Sequence, residues 1–91
     1  MQTELMNETY ESANEAVLFC QMYLEERGQA DAVVYIEGLD PICDLVTGRI
    51  ARDRLVAASY RTNDSAARHV ITLALNAVDR ALQTPVLLAA S

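Results

Sequence analysis

Between Ala66 and Leu82 the residues Ala67, Ile71, Ala74, Val78 and Ala81 recur at alternating four- and three-residue steps, the period of one helical face. At about 100° per residue, the apolar side chains running from Leu73 through Val70, Ala74 and Ile71 to Leu75 cover an arc of roughly 200°. One neighbour does not cover such an arc, so the segment needs two or more packing partners. Arg68, His69, Thr72, Asn76, Asp79, Arg80 and Gln83 leave a single polar strip. The pattern predicts the central helix of an all-α bundle. Thr62, Asn63, Asp64 and Ser65 supply the turn and cap before it, and Thr84-Pro85 is expected to end it.

The rest of the chain supplies three or four further helices. Met6, Tyr10, Ala13, Val17, Cys20 and Leu24 predict a long first helix from about Glu4 to Arg27, stopped at Gly28 and facing the central one. Ala32 to Ile36 is a continuous apolar run that periodicity alone assigns to either a short helix or a buried strand. Asp31 is positioned to cap a helix there and no second strand is at hand, so a helix is expected; a strand would make the fold α+β. Asp40-Pro41 reads as an N-cap and first helical residue, with Ile42, Leu45 and Val46 available to pack and Gly48 breaking or kinking the helix. Arg49 to Tyr60 reads as helix with Ile50, Ala57 and Tyr60 inward and Arg52 and Arg54 outward. The expected architecture is a single domain, residues 1–91, of four to five helices.

A chain of 91 residues buries only about 60 to 65% of its unfolded surface, so self-association would add stability and a homodimer is expected. The residues from Val86 to Ser91 carry no charge, which predicts that they fold back on the domain or lie on a second subunit. Cys20 and Cys43 are too few for a disulfide scaffold and are expected to be buried, reduced thiols, consistent with a cytoplasmic protein. No apolar run approaches the roughly 18 residues of a membrane span.

Charge is divided unevenly. Residues 1–47 hold ten acids against Arg27 alone, whereas residues 48–91 hold six arginines against Asp53, Asp64 and Asp79. Opposite its core stripe the first helix carries Glu4, Glu8, Glu11 and Glu15, then Leu18 and Met22, then Glu25. Like charges four apart cost a helix a few tenths of a kcal/mol per pair, and Glu11 and Glu15 lie beyond the help of the helix dipole, which fades after the first turn. Glu8, Glu11, Glu15, Leu18 and Met22 are therefore the candidate protein-binding residues. Arg49, Arg52, Arg54, Arg61 and Arg68 form the alternative, a phosphate-binding cluster, although a net charge of −6 opposes nucleic acid and favours pairing with the chain's own acidic half.

Catalytic patterns are missing from the sequence. His69 is the single histidine, with Ala66 three residues before it, which excludes the paired Glu-x-x-His pattern of di-iron bundles. Gly28, Gly38 and Gly48 stand ten apart, without phosphate-loop spacing. Asp64-Ser65 resembles the modified-serine motif of acyl carrier proteins, but Ala66 replaces its leucine and only 26 residues follow Ser65. Ile50-Ala51 resembles part of a helix-turn-helix, but Leu55 stands at its turn glycine and Arg61 and Asp64 at apolar positions. No cofactor, metal or enzymatic activity is expected. The expected function is a non-enzymatic, acidic regulator or inhibitor that binds another protein, with a basic nucleic-acid-binding protein as the candidate partner; anti-CRISPR proteins offer an analogy. The alternative is a nucleic-acid or phospho-ligand binder using the arginines.

Overall fold

The computed structural model describes the backbone of residues 2–90 and the side chains of residues 9–83. Four helices, and no strand, occur among the described residues: α1 (Gln2–Glu26), α2 (Ala30–Ile36), α3 (Leu45–Ser59) and α4 (Ser65–Ala90). The fold is a small all-α bundle. α4 packs against α1 on one side and α3 on the other, and α2 bridges α1 and α3 away from α4.

The central stripe is the core. Ala67, Ile71, Ala74, Val78 and Ala81 are all buried, against Ala13, Cys20 and Leu24 of α1 and Ala51, Leu55 and Ala58 of α3. Burying each of the larger side chains contributes about 1.5 to 3 kcal/mol before entropy is counted. The buried arc is narrower than the sequence suggests, since Leu73 at its edge is exposed. Met6 and the residues beyond Gln83, including the uncharged stretch Val86 to Ser91, lie outside the described side chains.

α1 stops where expected, and the backbone shows why. Gly28 has φ +70°, the left-handed region open to glycine. Its N–H donates to the Glu25 carbonyl while that of Gln29 donates to Leu24, a Schellman closure. Residues 32–36 are helical, which settles the choice between helix and strand. They bury Ala32, Val33 and Ile36 on one helical face and leave Val34 exposed. Asp31 sits inside the first turn of α2 rather than capping it; Gln29 holds the cap position.

The next helix begins later than Asp40-Pro41. The Asn14 side chain accepts from Ile42 N–H at 2.7 Å and donates to Ile42 C=O at 3.0 Å, which fixes residues 39–43 as an irregular connector. Asp44 is the true cap: its carboxylate accepts from Thr47 N–H at 2.8 Å, and Thr47 Oγ1 accepts from Asp44 N–H at 3.1 Å. Gly48 does not break α3. It lies buried within it, where a Cβ would stand 2.7 Å from Leu82 Cδ2 and 3.7 Å from Ile42 Cγ2, so the missing side chain lets α4 approach.

The inward face of α3 is also phased differently. Gly48, Ala51, Leu55 and Ala58 are buried, while Ile50 (47% exposed) and Tyr60 (80%) point out. Val46 is exposed as well, and so is Cys43, in contrast to the buried thiol of Cys20. At the other end, α4 runs past Thr84-Pro85 to Ala90. Proline there forfeits one backbone hydrogen bond, and the leucines and alanines that follow are strong helix formers.

Candidate functional site

The outward face of α1 follows from its core stripe. With Ala13, Cys20 and Leu24 buried, residues about half a turn away face water. Glu11 and Glu15 are exposed, and Leu18 (57% exposed) and Met22 (52%) continue their line. The Glu8 side chain lies outside the described residues. Phe19, at 60% exposure, joins this face, although it stands off the row of Glu11, Glu15, Leu18 and Met22 that the sequence pattern picks out. The signal was present: Phe19 lies four residues after Glu15 and three before Met22, the separations that place helical side chains side by side. Its ring stands 6.2 Å from that of Tyr23, which in turn lies 5.5 Å from the Arg27 guanidinium carbon.

Beside Leu18 a groove of about 280 Å³ opens between α1 and the 39–42 connector. Val17 and Leu18 form one wall, Leu39, Pro41 and Ile42 the other, and Ile36 and Ala51 the floor, with Asn14, Gln21 and Asp40 as its polar groups. The paired Asn14–Ile42 hydrogen bonds hold the connector against α1, with Leu39 half-buried and Pro41 exposed. Among the described residues no buried side-chain nitrogen or oxygen lacks a partner. The groove is a mainly apolar trough with Asp40 as its one charged side chain.

Three of the five arginines have partners of their own. Arg52 on α3 pairs with Asp79 of α4 at 2.9 Å, whereas the Arg61 guanidinium carbon lies 5.4 Å from the Tyr35 ring of α2. Arg68 donates to the Thr62 carbonyl at 3.0 Å. Arg49 and Arg54 are exposed and point away from each other on α3, about 140° apart by helical phase. The second ion pair, Arg27 to Asp64 at 2.7 Å, joins a base of the first half to an acid of the second, the reverse of the expected pairing between halves.

Asp64 works at the junction of α1 and α4. It accepts from the N–H groups of Ala66 and Ala67 at 2.9 and 3.1 Å while holding Arg27. The Ala67 N–H first, then the Arg27 guanidinium, keep its carboxyl below the usual 3.8. Asp44 is likewise held low, chiefly by Thr47. Thr62 is buried at the same junction, donating to Gln29 Oε1 at 2.6 Å. These are structural duties. Burial pushes the Cys20 thiol up to about 11, which keeps it protonated and inert. His69 is exposed, and no group of three or more His, Cys, Asp or Glu among the described residues is arranged to hold a metal ion. No helix among them is long and apolar enough to cross a membrane. Comparison with protein-family models, curated proteins and solved structures finds no match for this chain.

Proposed function

We propose that this chain is a non-enzymatic docking module, a small acidic regulator or inhibitor that binds another protein through the outward face of α1. One observation carries it: Leu18, Phe19 and Met22 are each more than half exposed on adjacent positions of one helix, beside Glu11 and Glu15. Contiguous exposed apolar side chains rimmed by polar ones mark interaction sites, and large apolar and aromatic residues are the usual interface anchors. The acidic flank selects a partner with a basic surface, of the kind nucleic-acid-binding proteins carry, and speeds the encounter. A cytoplasmic homodimer fits this role, its support being the small size of the chain and the uncharged sequence from Val86 onward.

A photo-crosslinking amino acid placed at Met22, expressed in the native host, tests the docking face, with the same group at the exposed Leu73 of α4 as control. A discrete crosslinked protein with a basic surface at position 22, and none at 73, is expected. Equal labelling from both positions, or none from position 22, contradicts the proposal.

A further inference from the structure

The groove beside Leu18 extends the docking face, and what it accepts can be read from its size and chemistry; the inference rests on the docking role of α1. Its volume of about 280 Å³ falls just below the range of about 300 to 1,000 Å³ typical of small-molecule pockets, which suits an anchoring side chain better than a whole cofactor. Val17, Leu18, Leu39, Pro41, Ile42 and Ala51 make it apolar. Asn14 spends both ends of its amide on Ile42, so it offers little to select a polar ligand. The one ionisable residue lining the groove is Asp40, and the neighbouring charges on the outward face of α1, Glu11 and Glu15, have the same sign.

We infer that the groove takes a leucine-, isoleucine- or methionine-sized anchor from a basic amphipathic helix of the partner protein. The next turn of that helix then lies on Leu18 and Met22, and its lysines or arginines face Asp40, Glu15 and Glu11. An apolar trough continuous with an exposed apolar helix face matches the i, i+3/i+4, i+7 anchors of helix-in-groove recognition. Charge complementarity sets the sign of the flanking residues.

Three short helical peptides serve as probes: an amphipathic leucine–lysine helix, a serine–lysine peptide of equal charge, and a leucine–glutamate helix. Binding is read by fluorescence anisotropy and by NMR shifts of the full chain. The leucine–lysine probe is expected to bind, to shift Val17, Leu39 and Ile42 as well as Leu18 and Met22, and to exceed both controls by about tenfold or more. Gln21→Trp, which lays an indole across the groove mouth, and Asp40→Lys, which reverses its rim charge, should each weaken binding by about tenfold. Asp40 is exposed, so its variant carries the test if the tryptophan disturbs folding.

Equal binding of the serine–lysine peptide overturns the inference, because charge alone then suffices. So does binding that shifts Leu18 and Met22 but leaves Val17, Leu39 and Ile42 unmoved with both variants at wild-type affinity; docking on α1 itself then stands. Groove resonances that move with protein concentration alone, and cease to do so in Leu18→Glu, assign the groove to a second copy and also overturn it. If the leucine–lysine helix does not bind at all, the groove has the wrong occupant, while the crosslink at Met22 still decides whether α1 docks.

Discussion

Asn14, which lines the candidate groove, joins two parts of the chain 28 residues apart. Its amide satisfies both backbone groups of Ile42, at 2.7 and 3.0 Å, and so replaces a turn of secondary structure with one side chain. Removing it leaves the partly buried Ile42 N–H and C=O without their partner, a loss of about 1 to 3 kcal/mol. Asn14→Ala is therefore expected to lower stability to urea by this amount and to speed hydrogen exchange at Ile42, with α4 amides keeping their relative protection. Unchanged exchange at Ile42 would show that the connector holds itself in place. A bond of this kind cannot be read from local sequence. Asp40-Pro41 carries a sound cap signal, yet the helix starts at Leu45 because Ile42 is already committed to α1, and because Asp44 and Thr47 complete a reciprocal cap that Asp40 has no partner to make.

Among the elements, α4 was the most legible and α3 the least, for a physical reason. The buried stripe of α4 includes Ile71 and Val78 at clear helical spacing, whereas that of α3 consists of Gly48, Ala51, Leu55 and Ala58. Three of those four are small, Gly48 because Leu82 of α4 comes close, and hydropathy favours the exposed Ile50 and Tyr60 instead. On α1 the periodicity places Leu18 and Met22 on the face opposite the core, where the structure exposes them, whereas Phe19 stands off that row and is exposed beside it. The groove was illegible, since its far wall depends on the Asn14 bond.

The caps of α3 and α4 give these elements a shared acid response. Asp44 and Asp64 are both held below the usual 3.8 in the folded chain, so the stability they supply is fully present above that value and is lost as pH falls through their lower folded values. Asp64→Asn keeps a capping side chain but removes the charge facing Arg27. It should flatten the acid-side loss of melting temperature and cost less at neutral pH than Asp64→Ala, which removes the cap too. Indistinguishable acid limbs for wild type and Asp64→Asn would mean that this carboxylate plays no part in acid unfolding.

α1 presents two surfaces. One joins α4 and the rest of the core; the other carries Glu11, Glu15, Leu18, Phe19 and Met22, none of which belongs to the buried core. Exposed substitutions typically change stability by no more than about 0.5 kcal/mol, while interface anchors commonly contribute about 2 or more. The paired substitution Leu18→Glu with Met22→Glu separates these roles in one protein, measured by thermal melting and by retention of the host protein that crosslinks at Met22. Docking through α1 requires a melt close to wild type with retention lost. A variant that melts normally and still retains the partner would contradict it, and one that unfolds or changes its oligomeric state would return Leu18 and Met22 to the fold.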